Sequence, residues 1–132
     1  MAVEHEIKLR VRYADTDTMR VVYYANFFIW FESGRVELLR SRGIVYRDIE
    51  DLGIFIPVIE AQANYKAPAR FDDELMVKTR LAKMGETSIR FENEVFKLPE
   101  MELLCSGHTV HVVVGKDGRP MRVPDEFRAK LS

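Results

Sequence analysis

The sequence predicts an α+β fold in which one long central helix is wrapped by a curved antiparallel sheet of about five strands. Three observations predict it. Between residues 26 and 42 the apolar residues recur at helical spacing, with Phe27, Phe31, Gly34 and Leu38 on one stripe. Alternating or β-branched runs fall at 6–13, 54–66, 74–82, 88–97 and 103–114, parted by turn residues. The chain has 132 residues, which suits one domain over 1–132 with a single sheet and a single filling helix.

Each element has a local cause. In 6–13, Ile7, Leu9, Val11 and Tyr13 share one face and Glu6, Lys8, Arg10 and Arg12 the other, the pattern of a half-buried strand. Ala14-Asp15-Thr16-Asp17-Thr18 then breaks it with turn-forming side chains. The helix opens at about Asn26 and stops at Gly43, with Arg40 and Arg42 in its last turn, where the dipole favours cations. Its first turns, Phe27, Phe28, Ile29, Trp30 and Phe31, are apolar all round, so the sheet or a second subunit must cover every side. Residues 46–52 form a short helix ending at Gly53. The later strands follow: 54–66 with Pro57, then 74–82 and 88–97, whose inner faces carry Leu75, Val77, Thr79 and Leu81, then Ile89, Phe91 and Val95, and finally 103–114. Pro124-Asp125 opens a terminal helix over 125–131. The expected order is one strand, the long helix, then four strands in meander.

Composition narrows the function classes. Hydrophobic residues are 47% and charged residues 31%, the balance of a globular protein. The formal net charge is −1, which does not suit nucleic acid as the main partner. The longest uncharged stretches, 21–31 and 103–115 with histidine taken as neutral, are shorter than the roughly 20 apolar residues of a membrane span. The N-terminal stretch has no apolar leader segment, and Cys105 is the one cysteine, so no intramolecular disulfide forms; a cytoplasmic setting is expected.

Several chemistries are absent from the sequence. It has no Gly-x-Ser-x-Gly elbow, no phosphate-binding Walker loop and no dinucleotide fingerprint. His108 and His111 lie three apart on a strand and so point to opposite faces, which makes them poor candidates for a shared metal; no metal site is expected from these or His5. Asp15-Thr16-Asp17 imitates the start of a calcium loop, but Arg20 stands where that loop needs glycine and Asn26 where it needs glutamate. What remains is the junction from Tyr13 to Asn26, which crowds two carboxylates and three tyrosines against the start of the most apolar helix. Asp15 or Asp17 can cap and shape that turn. Either can also act as nucleophile or general base beside free backbone donors suited to an oxyanion.

Tyr13-Ala14-Asp15-Thr16-Asp17, then Val21-Val22-Tyr23-Tyr24-Ala25-Asn26-Phe27, then Phe31-Glu32-Ser33-Gly34-Arg35-Val36-Glu37, resembles the 4-hydroxybenzoyl-CoA thioesterase family, and within it the YbgC-like acyl-CoA thioesterases. The stretch from Tyr65 through Pro68, Arg70 and Phe71 to Asp73 is similar to the family's second signature, as is the turn Gly85-Glu86-Thr87-Ser88. The match is dense over 11–43 and moderate over 60–114. The resemblance implies the hotdog fold, and dimers whose sheets join edge to edge with active sites at the subunit interface, commonly paired into tetramers. It implies hydrolysis of an acyl-CoA thioester, short-chain aliphatic or aromatic, with no cofactor. Acyl carrier protein as the donor, or a non-catalytic acyl-binding subunit of the same fold, is the alternative.

By the same resemblance Asp17 is catalytic, as nucleophile or as base for water, and the backbone N–H of Tyr24 polarises the thioester carbonyl. Arg20, Val22, Tyr23, Asn26 and Glu32 fall at pocket positions, with a helix-surface ion pair to Arg35 as the plain reading of Glu32. Arg70, Lys83, Thr87 and Ser88 fall where relatives hold the CoA portion; Tyr65, Pro68 and Arg70 equally suit shaping of a strand and its turn. Two departures stand out. The family usually has glycine where this chain has Arg20, and many YbgC-like members have histidine where it has Tyr24.

Overall fold

The computed structural model describes residues 3–132; Met1 and Ala2, the first residues of the N-terminal stretch discussed above, lie outside the described residues. Five strands form one antiparallel sheet: β1 (Glu4–Arg10), β2 (Val58–Tyr65), β3 (Glu74–Met84), β4 (Ser88–Lys97) and β5 (Glu102–Val112). Three α-helices accompany them: α1 (Asn26–Ser41), α2 (Tyr46–Asp51) and α3 (Asp125–Lys130).

The strand order is β1-β3-β4-β5-β2, so only β3, β4 and β5 run as a meander. The expected four-strand meander is corrected at β2, which pairs with β5 and not with its sequence neighbour β3. A period-two pattern marks a strand but does not name its partner. Nearly every residue of β2 is exposed in the single chain, as befits an edge strand with an unpaired rim.

Along β1 the alternation holds until Arg10 and then stops. Val11 is buried, but Tyr13 is 77% exposed, because a single 3-10 turn over Tyr13–Asp15 takes the chain off the sheet. The expected strand face therefore loses Tyr13. The other boundaries shift by a few residues at most, and β4 matches the expected range.

α1 lies across the inner face of the sheet with Phe27, Trp30, Phe31, Gly34, Arg35, Leu38 and Leu39 buried. A Cβ at Gly34 would run into the Thr79 side chain on β3, so glycine here lets the helix backbone sit directly on the sheet. The helix ends at Gly43 (φ 80°), where Gly43 N–H donates to the Arg40 carbonyl at 3.0 Å and Ile44 N–H to the Leu39 carbonyl at 2.9 Å. The first turns are not covered on every side within one chain: Ile29 is 55% exposed.

Two apolar clusters flank the helix. One joins its first half, Phe27, Trp30 and Phe31, to Leu75, Val77, Val95 and Leu104 of the sheet. The other joins Leu38 and Leu39 to Ile49 of α2, Phe91 of β4 and Phe127 of α3. The helix start, where the candidate chemistry lies, is thus anchored from below by a packed core. Among the described residues, no helix is long and apolar enough to cross a membrane.

Candidate active site at the start of the long helix

The segment from Arg12 to Asn26 is a small hydrogen-bonded knot. Thr16 and Val22 form an antiparallel bridge. Asp17 N–H donates to the Val21 carbonyl at 2.9 Å, and Tyr23 N–H to the Asp15 carbonyl at 2.9 Å. The Asn26 side-chain amide donates to the same Asp15 carbonyl at 2.8 Å, so Asn26 ties the helix start to the knot. Val22 N–H donates to the Ala69 carbonyl at 2.8 Å and fixes the knot to the turn before β3.

The two aspartates divide the roles left open by the sequence. Asp15 is buried, and its carboxylate accepts from the Arg12 backbone N–H at 2.8 Å and the Arg12 guanidinium at 2.8 Å. Burial alone would raise this carboxyl, but the Arg12 contacts outweigh it and hold it below the usual carboxylate range. Asp15 is the capping residue. Asp17 is exposed, and its Oδ1 accepts the Met19 N–H at 2.8 Å. No described protein group donates to its Oδ2, and Asp17 lines a cleft of about 270 Å³ together with Tyr13, Thr16, Arg20 and Phe71.

Arg20 closes the tight turn that carries Asp17, with its N–H donating to the Asp17 carbonyl at 3.0 Å. Its φ is 63°, the left-handed region that favours glycine. That is the physical reason for a glycine at this position, and Arg20 accepts the strain while placing a cation at the cleft.

Tyr24 and Ala25 precede α1. The Tyr23 carbonyl accepts from Asn26 N–H at 2.9 Å, and the Tyr24 carbonyl accepts from the Tyr65 hydroxyl at 2.8 Å. Each trans peptide points its N–H opposite to its carbonyl. The N–H groups of Tyr24 and Ala25 therefore face away from the helix, and no described protein group accepts from them. Two adjacent free donors at a helix start suit an oxyanion. Tyr24 lines a groove of about 310 Å³ together with Val22, Phe27, Tyr65, Ala67 and Pro68.

Tyr23 is exposed and packs against Tyr24 with ring centroids 4.7 Å apart. Contact with the Tyr24 hydroxyl raises its phenol above the ordinary value, and the nearby Asp17 charge adds to this, which places Asp17 and the tyrosine pair in one electrostatic neighbourhood. Within one chain, however, Asp17 and Tyr24 open into two separate grooves.

The other expected site residues are dispersed. Arg70 is exposed in the turn before β3, and its N–H donates to Asp73 at 2.9 Å. Lys83, Thr87 and Ser88 sit at the β3–β4 hairpin. β3 is 11 residues, so this hairpin lies about 35 Å along the strand from the Asp17 end. Glu32 is exposed and makes no ion pair with Arg35 among the described residues, which corrects the plain reading of that pair.

Three groups were missed or misjudged from sequence. Tyr65 reaches Tyr24 across 41 positions, a contact no local pattern reveals. His111 is fully buried, its Nδ1 bonded to the Ile56 carbonyl at 3.0 Å and its Nε2 to the Thr109 hydroxyl at 2.9 Å. Burial and the Arg35 charge push it down to about 4, so it is neutral, with Nδ1 donating and Nε2 accepting. Arg35 itself is buried on α1. Its position four residues after Phe31, inside the apolar stripe, was the available signal. Cys105 is buried and burial pushes its thiol up to about 11, so it is no nucleophile.

Comparison with known proteins places this geometry. The model of the Thioesterase-like superfamily matches residues 11–131. The chain belongs to that superfamily. It is 31% identical over 121 residues to the putative acyl-CoA thioesterase YneP of Bacillus subtilis, covering 91% of this chain and 87% of that one. It is 32% identical over 104 residues to the acyl-CoA thioester hydrolase YbgC of Escherichia coli, covering 74% of this chain and 78% of that one. The crystal structure of the DHNA-CoA thioesterase of Staphylococcus aureus superposes with a TM-score of 0.90 at 30% identity, over 96% of this chain and 85% of that one. The resemblance to the YbgC-like thioesterases and the hotdog fold both hold, and the chain is a thioester hydrolase.

Proposed function

We propose that this protein hydrolyses acyl-CoA thioesters, short-chain aliphatic or aromatic, at the knot that precedes α1. The observation that carries the reading is the pair of free N–H groups at Tyr24 and Ala25, held in place because the Tyr23 and Tyr24 carbonyls of the same peptides accept from Asn26 N–H and the Tyr65 hydroxyl, on the same knot as the open Asp17 carboxylate. The thioester oxygen takes up negative charge as the carbonyl carbon becomes tetrahedral. One preorganised donor aimed at that charge lowers the barrier by about 3 kcal/mol. The free Oδ2 of Asp17 attacks the carbonyl carbon or removes a proton from the attacking water, and CoA leaves as its thiol. Val22 and Tyr23 wall the acyl path, and Arg20 and Glu32 set its entrance.

The chain acts as one domain and as a homodimer, with dimers paired into a tetramer. The open rim of β2 and the exposed Ile29 support an edge-to-edge partner. A partner also explains why Asp17 and Tyr24 open into separate grooves, and why Lys83, Thr87 and Ser88 lie far from Asp17: the CoA portion is held by Arg70 and a hairpin of the other subunit. The setting is cytoplasmic, as a chain with one cysteine and no internal disulfide suits.

Thiol release from acetyl-, hexanoyl-, benzoyl- and 4-hydroxybenzoyl-CoA tests this reading. Turnover of at least one substrate is expected, with a loss of at least about a hundredfold in Asp17→Asn, the contribution of a nucleophile or general base. Turnover only of acyl groups on acyl carrier protein would move the donor. Saturable binding of these thioesters with no thiol release would leave a binding subunit.

A further inference from the structure

The β3–β4 hairpin is held from behind by the C-terminal segment. Arg128 of α3 is half-buried and donates to three backbone carbonyls: its Nη2 to Gly85 at 2.6 Å and to Glu86 at 3.1 Å, and its Nε to Val123 at 3.3 Å. Val123 N–H also donates to the Glu86 carbonyl, at 2.9 Å. Two successive carbonyls of the turn are therefore drawn toward α3. Each trans peptide points its N–H opposite to its carbonyl. The N–H groups of Glu86 and Thr87 thus face away from α3, and no described protein group accepts from them. Successive N–H groups aimed to one side form a concavity for an anion.

The same outward side carries two cations. Ile89 and Phe91 share a core cluster with Val123 and Phe127, so Arg90 between them faces the other way. A register shift between Leu81 and Lys83 brings Lys83 directly opposite Arg90, on Arg90's face. Like charges directly opposite each other destabilise a sheet, and neither side chain has an ion-pair partner among the described residues. The nearest carboxylates along the hairpin are engaged elsewhere, Glu86 at 3.6 Å from Arg122 and Glu92 with Arg80. Two unpaired cations facing each other beside two free N–H groups call for an anion.

We infer that Arg128 is a positioning residue for phosphate recognition: by taking the two carbonyls it turns the Glu86 and Thr87 N–H groups, with Arg90 and Lys83 beside them, toward the phosphates of CoA. The inference rests on the reading above that this hairpin holds the CoA portion. Arg128 itself touches no ligand. Its charge lies behind the two peptides, where it strengthens the field at their N–H ends, and backbone donors of this kind suit phosphate oxygens. Arg90 contributes a guanidinium, which meets a phosphate through two parallel bonds.

Calorimetric titration of the intact protein with free CoA, and with pantetheine, which lacks the nucleotide and its phosphates, tests the inference. Wild type is expected to bind CoA at least about tenfold more tightly than pantetheine, the size of one charge-assisted contact. Arg128→Gln is expected to lose that advantage for CoA and nothing for pantetheine. In turnover, Arg128→Gln is expected to raise KM for an acyl-CoA by at least about tenfold, with kcat little changed and the matching acyl-pantetheine thioester unaffected. A residue that only braced the fold would weaken both substrates alike, and that result would overturn the inference. So would equal affinity of wild type for CoA and pantetheine, or wild-type CoA affinity in Arg128→Gln. Should no acyl-CoA release thiol while CoA binding still depends on Arg128, the proposed hydrolysis falls and this inference stands; thiol release with an unchanged KM in Arg128→Gln gives the reverse. If Arg128→Gln fails to fold, amide spectra of isotope-labelled wild type decide. Saturating CoA is expected to shift the Glu86 and Thr87 amide resonances and pantetheine to leave them in place, and amides unmoved by CoA would sink the idea.

Discussion

Asp15 and Asp17 stand two residues apart on one loop and have opposite surroundings. Asp15 is buried, its carboxylate accepts from the Arg12 backbone N–H and from the Arg12 guanidinium at 2.8 Å each, and its own backbone carbonyl accepts from Tyr23 and Asn26. Asp17 is exposed, lines the cleft, takes one bond from Met19, and has no described protein donor to Oδ2. The same residue type thus does two jobs: one carboxylate spends its acceptors holding the knot, and the other keeps one in reserve. A satisfied buried charge stabilises a structure, whereas an open one beside free donors is available to react.

The largest effect that sharpens this contrast is on turnover. Asp17→Asn is expected to lose at least about a hundredfold in thiol release while its melting temperature stays near that of wild type, since Asp17 holds only a local turn. A fall in both would show that Asp17 also braces the loop.

Asp15→Ala is expected to cost about 1.5–3 kcal/mol by urea denaturation, through loss of the charge-assisted bond from the Arg12 N–H. Its pH dependence has a definite sign. The folded carboxyl holds its proton less tightly than the unfolded one, so its stabilisation is complete above the unfolded value of about 4 and is lost as pH falls toward the folded one. Asp15→Asn should flatten the stability curve in that range. A separate loss is expected at higher pH, between the unfolded value of 6.5 and about 4, from the buried neutral His111.

Tyr65→Phe comes next. Its hydroxyl fixes the Tyr24–Ala25 peptide, and a hydrogen bond of about 1 kcal/mol corresponds to roughly a fivefold loss in kcat. An unchanged kcat would mean the helix start holds its own shape. The smallest effect is Arg20→Gly. Release of about 1 kcal/mol or more of left-handed backbone cost is partly offset by the added freedom of glycine in the unfolded chain. A net gain of about 0.5 kcal/mol is expected, read as a small rise in melting temperature.

Much of the fold is legible in the sequence because periodicity follows burial. The stripe Phe27, Phe31, Gly34 and Leu38 marks the helix face, and the alternation in 74–82 and 88–97 marks the inner sheet face. The pairing of β2 with β5 is not legible, since alternation carries no partner identity. Tyr13 is misplaced because its side chain continues the alternation of β1 after the backbone has already turned. At the site, the motif locates the carboxylates, but only the backbone path decides that Arg12 reaches Asp15 and not Asp17. Tyr65 depends on a contact between elements distant in sequence, which no local pattern carries, whereas the burial of Arg35 has a local signal in its place four residues after Phe31.

The most direct measurement compares thiol release by Asp15→Asn and Asp17→Asn, side by side, at a temperature where both are folded. The account predicts that Asp15→Asn stays within an order of magnitude of wild type and that Asp17→Asn falls at least about a hundredfold. The reverse ranking, or equal losses, would contradict it.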